Sequence, residues 1–195
     1  MRLLIVACFL AGCFAEMKTG QVVVEYDKYK QLTVVKYSTY ISLEKAVIRT
    51  MAGMPGGFTL LLIGVAEEPS SASIGLLSSS DSWSFLKCND LDFLADGVPV
   101  PVGETSHDGD VGTLGGSVSV SETVYALLPA SSVLQIAQAK TVEGRLCSTE
   151  FVLTPEQIAL IGEFAKKTGF KASAPPKEPP ASTPASAPAE QAPPI

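Results

Sequence analysis

The 195-residue chain predicts an α+β fold: mostly antiparallel β-sheet or sandwich, with a short helix and a C-terminal helix packed on it. Three observations predict it. Between residues 21 and 170, β-branched and aromatic residues come in runs of strand length bounded by Gly, Pro, Asp and Ser clusters. One segment near residue 155 carries a full set of helix-start signals. Beyond residue 170 the bulky apolar residues nearly vanish, which closes the domain.

QVVVEYDKYK opens the series, followed by QLTVVKYSTYISL, in which Val35, Tyr37, Thr39, Ile41 and Leu43 alternate onto one face. Met54-Pro55-Gly56-Gly57 reads as a turn. Phe58 to Val65 is an unbroken apolar run, the pattern of a central strand covered on both faces. EEPSSAS is expected as loop. SWSFLKC and LDFLADGVPVPV read as strands, with Asp96-Gly97 forming a two-residue hairpin turn. Pro99 and Pro101 confine the return strand to a sheet edge, because proline cannot donate to a ladder.

Gly103 to Gly116, GETSHDGDVGTLGG, is expected as a long surface loop. SVSVSETVYALL is another strand. SSVLQIAQAK then reads as a short helix capped by Ser131 or Ser132, and VEGRLCSTEFVL as the last strand or hairpin. Thr154-Pro155-Glu156-Gln157 combines a cap, Pro at the first helical position and Gln completing a capping box. The helix it starts aligns Ile158, Ile161 and Ala165, with Leu160 and Phe164 beside them. It ends in Lys166-Lys167 and Gly169, favourable charges followed by a C′ glycine.

The two ends differ from this domain. Residues 171–195, KASAPPKEPPASTPASAPAEQAPPI, hold too little apolar surface to offset the entropy of ordering and are expected as an extended, disordered tail. At the other end Arg2, the apolar run Leu3 to Leu10 and the small residues Ala11 and Gly12 precede Cys13. That is the layout of an export signal. The run is shorter than the roughly 20 residues a membrane span needs.

Leu10-Ala11-Gly12-Cys13 resembles the lipobox of bacterial lipoproteins. The resemblance implies that residues 1–12 are a signal peptide and that Cys13 is lipidated as the first residue of the mature chain. An ordinary signal-peptidase cut after Ala15 is the alternative. Phe14 stands where an Asp would retain a lipoprotein at the inner membrane, so the same family rule implies the outer membrane, facing the periplasm, or secretion if the alternative cut holds. The partners implied are a membrane, reached through the lipid, and an envelope protein. Two further stretches, Tyr26 to Val35 (Y-D-x-Y-x-x-x-T-x-V) and Ala139 to Gln157 (A-x-x-V-E-x-R-x-C-x-x-E-F-x-L-T-x-E-Q), are similar to small exported bacterial domains. That similarity implies a shared β-rich fold and no activity.

Charge excludes one class of partner. The leader removes Arg2 and no acid, taking the net charge from −6 to −7, and no basic block exists to neutralise phosphates. Nucleic acid is therefore not an expected partner. With Cys8 in the leader and Cys13 in the lipobox, Cys88 and Cys147 remain as one pair. In an oxidising compartment they are candidates for a disulfide, the alternative being two separate buried thiols.

Candidate chemistry is sparse, and no cofactor motif is present. Ser84-Phe85-Leu86-Lys87 and Lys167-Thr168-Gly169 resemble the S-x-x-K and K-T-G elements of penicillin-recognising enzymes. A strand reading of the first and a helix-exit reading of the second disagree with that geometry. His107 is the only histidine, so any histidine-dependent hydrolysis must use it. Glu104, His107, Asp108 and Asp110 could together gather a cation, although the ordered ligand series of a calcium loop is incomplete. Gly109, Gly112, Gly115 and Gly116 precede a strand and not a helix, which is the wrong context for a phosphate cradle. Tyr26, Tyr29, Tyr37 and Tyr40 are either a clustered binding face or half-buried sheet residues. These readings favour a non-catalytic envelope lipoprotein with a binding or structural role. The alternative is a small hydrolase or metal-binding protein using the His107, Asp108 and Asp110 segment.

Overall fold

The computed structural model describes residues 19–43, 56–114 and 117–171; Cys13, the segment expected as a signal peptide and residues 172–195 lie outside them. Among the described residues ten strands and two helices follow one another: β1 (Gln21–Asp27), β2 (Leu32–Ser42), β3 (Gly57–Val65), β4 (Ser71–Ser80), β5 (Leu91–Ala95), β6 (Val98–Val100), β7 (Thr105–Leu114), β8 (Ser117–Pro129), α1 (Ala130–Gln138), β9 (Val142–Leu146), β10 (Thr149–Leu153) and α2 (Pro155–Thr168). Every strand pairing is antiparallel. A six-stranded sheet runs β1-β2-β3-β4-β8-β7 and a four-stranded sheet runs β10-β9-β5-β6. The fold is α+β, as its patterning predicts.

The long apolar run takes the place its composition demands: β3 lies between β2 and β4 in the middle of the large sheet. Val35, Tyr37, Thr39 and Ile41 of β2 share the inward face with Phe58, Leu60 and Leu62 of β3. Across from them the small sheet contributes Phe93 and Phe151. A relay of rings, Phe85–Phe58–Phe151–Phe93, with centroids 5.7–5.8 Å apart, joins the layers. Gly144 lies under the Phe151 ring where a Cβ would stand. The opposite face of the large sheet is also shielded at Val34, Lys36 and Ser38. There Lys36 Nζ meets Glu25 Oε2 at 2.6 Å.

Helix α2 has the predicted ends. Thr154 and Gln157 form a reciprocal capping box, and Gly169 closes the helix at φ +82°. Ile158, Ile161, Phe164 and Ala165 are buried, and the helix packs on α1, β1 and β2. Gln157 reaches further than a cap needs: its Nε2 donates to Thr39 Oγ1 and to the Tyr40 carbonyl, tying the helix start to β2. The Asp96-Gly97 turn and the edge position of β6 also agree with expectation.

Four local expectations are corrected. Ser71–Ser80, whose first three residues are expected as loop, is the fourth strand of the large sheet. Trp83 to Cys88 is not a strand; the chain between β4 and β5 is irregular. The glycine-rich segment is largely not a loop, since Thr105–Leu114 pairs with β8 as an edge strand. Helix α1 has no side-chain cap and starts after Pro129, while Ser132 Oγ donates to the Pro101 carbonyl.

Candidate functional site

The inward residues of β8 run Val120, Glu122, Val124, Ala126, Leu128. Four are apolar, and the fifth is a carboxylate only 1% exposed. A buried carboxylate is stable only with hydrogen-bond partners, and Glu122 has three. Oε2 accepts from the Ser84 N–H (2.6 Å) and Oε1 from the Phe85 N–H (2.9 Å). His107 Nε2 lies 3.1 Å from Oε1, its side chain 14% exposed. Glu122 therefore holds the irregular 81–90 segment against the sheet and orients the single histidine.

Trp83 covers this group. Its ring centroid is 6.1 Å from that of His107, and the indole lies over Gly109, where any Cβ would collide with it. Phe85, the next anchor, enters the core relay. At the far end of the segment Cys88 is bonded to Cys147, with Cα atoms 5.9 Å apart, inside the range a disulfide spans. Cys147 sits in the β9–β10 turn at φ +56°, and its N–H donates to the Asp90 carbonyl at 2.8 Å. Of the readings left open for this pair, the structure takes the disulfide.

The disulfide also forms one wall of an open groove of about 830 Å³, flanked by Asp90, Asp92, Glu104 and Arg145. Arg145 Nη2 is 2.6 Å from Asp92 Oδ2. That hydrogen bond, reinforced by the carboxylate charge, raises the guanidinium pKa above its ordinary value.

The proposed cation ligands are not brought together. His107 pairs with Val124 and shares its inward face, whereas Asp108 and Asp110 pair with Thr123 and Ser121 on the opposite face. Asp108 Oδ1 accepts from the Gly109 N–H and Asp110 Oδ1 from the Val111 N–H, both at 2.9 Å. Glu104 belongs to the groove. No group of three or more His, Cys, Asp or Glu able to hold a metal ion occurs among the described residues. The tyrosines are scattered too: Tyr37 is buried in the core, Tyr26 and Tyr29 are exposed, and Tyr40 lies on the other face of β2. Burial raises the pKa of the Tyr37 hydroxyl.

Chemically, among the described residues His107 has Glu122 as its one hydrogen-bond partner, and no Ser, Thr or Cys side chain bonds to it. The arrangement is a carboxylate clamp that fixes a loop. Glu122 and Trp83 escaped the sequence reading. The signal for Glu122 was present: a glutamate interrupts a strict period-two apolar series, an inward position that must be paired.

Fold and site define a two-layer α+β domain with antiparallel sheets, one disulfide and a loop clamped by a buried glutamate. No protein-family model, no curated protein and no solved structure matches the chain.

Proposed function

We propose that this chain is a bacterial cell-envelope lipoprotein: cleaved before Cys13, anchored through a lipid on that residue, sorted to the outer membrane, and acting by binding or structural support without catalysis. The observation that carries the reading is the Cys88–Cys147 disulfide. Structural disulfides persist in oxidising compartments outside the cytosol, which is where a leader ending in LAGC would deliver the chain. Glu122 and His107 fit the same reading, since Glu122 spends its carboxylate on the 81–90 segment and on orienting His107.

Growth with a labelled fatty acid tests the proposal. The wild-type chain takes up label, and the Cys13→Ser chain does not. An unlabelled wild-type protein overturns the lipoprotein assignment.

A further inference from the structure

Four strands end the two sheets, and an open sheet edge offers unpaired N–H and C=O groups to any other strand. Three of the four are blunted. Along β7, Asp108 and Asp110 turn their carboxylates onto the N–H groups of Gly109 and Val111. β6 is three residues long and carries Pro99, and the carbonyls of Pro99 and Pro101 are taken by Gln135 and Ser132 of α1. β10 has five residues and lies against β2. β1 has none of these devices. It is seven residues long and paired on one side only among the described residues, and it exposes Val24 (49%) and Tyr26 (64%) on the face it shares with the core.

We infer that β1 is a dimerisation edge, and that its occupant is β1 of a second copy of this chain, antiparallel and two-fold about Val24. The strand sequence QVVVEYD is self-complementary in that register. Val24 faces its own copy, Val22 faces Tyr26, Val23 faces Glu25 and Gln21 faces Asp27. All seven residues pair and no like charges stand opposite. The Val22–Tyr26 pairs are the aromatic–β-branched contacts that stabilise sheets. They cover the two exposed side chains beside α2, which already packs on β1. The two six-stranded sheets become one of twelve strands, closed by a two-fold axis that leaves no second β1 edge for further growth.

Disulfide trapping of the full chain in cells tests the register. Directly opposed residues of antiparallel strands have Cβ atoms about 5 Å apart, so Val24→Cys bonds to its own copy and yields a covalent dimer on non-reducing gels. The wild-type chain, with Cys8 and Cys13, sets the background, and Val111→Cys on the β7 edge is the control. Co-purification of two differently tagged full-length copies gives a second readout. Val24→Lys, at an exposed position the monomer tolerates, lowers recovery at least tenfold, and pairing Val24→Lys with Val24→Glu restores it. A Val24→Cys dimer no more abundant than that of Val111→Cys, or Val24→Lys copies that co-purify as well as wild type, overturns the inference. These readouts are independent of whether Cys13 is lipidated.

Discussion

Glu122 shows how one side chain can decide what a segment does. Ser82-Trp83-Ser84-Phe85-Leu86 has the alternation of a strand, yet it folds as an irregular segment because a carboxylate from β8 captures two consecutive N–H groups. Such a tertiary tether leaves no local trace in the captured residues. Removing it strands two amides and an imidazole, and each unpaired buried group costs about 1–3 kcal/mol. Glu122→Ala is therefore expected to lower unfolding stability by about 3 kcal/mol in urea titration. It should also speed hydrogen exchange at the Ser84 and Phe85 amides. Unchanged exchange at those amides would show that Glu122 does not hold the loop.

Among the elements, legibility followed side-chain chemistry. β3 and α2 were readable because a long apolar run and a capping box each admit essentially one structure. β4 and β7 were not, because Ser, Gly and Asp outnumber the apolar and β-branched residues in SASIGLLSSS and TSHDGDVGTL. Those segments are strands because β8 lies between them and supplies the ladder on both sides. The Asp96 turn was legible as a turn, but its second duty was not: Oδ1 accepts from Thr141 N and Lys140 N, both at 2.9 Å, linking the β5–β6 hairpin to the entry of β9. The Thr141 amide first, then the Lys140 amide and the Thr141 hydroxyl, lower the Asp96 pKa and together outweigh the opposing effect of desolvation. A carboxylate whose pKa is lower folded than unfolded stabilises the fold above the unfolded value, near 3.9, and that contribution is lost as pH falls through the folded value. Asp96→Asn should thus flatten the fall of Tm between pH 5 and pH 2. An identical fall in both proteins would contradict the link.

For the whole molecule, the disulfide is the covalent constraint, joining the irregular segment ahead of β5 to the β9–β10 turn. With its ends 59 positions apart, the chain-entropy relation gives about 4 kcal/mol of stabilisation. Reduction, or Cys88→Ser with Cys147→Ser, should lower stability by about that amount in denaturant titration; a loss below about 1 kcal/mol would mean the packed core alone suffices.

The proposed compartment, the proposed anchor and the disulfide are all read by the intact mass of the protein isolated from its native host. The account predicts a chain that starts at Cys13, carries lipid on that residue and is two hydrogens lighter than its reduced form. A mass equal to the unmodified chain from Met1, with Cys88 and Cys147 both free, would contradict it.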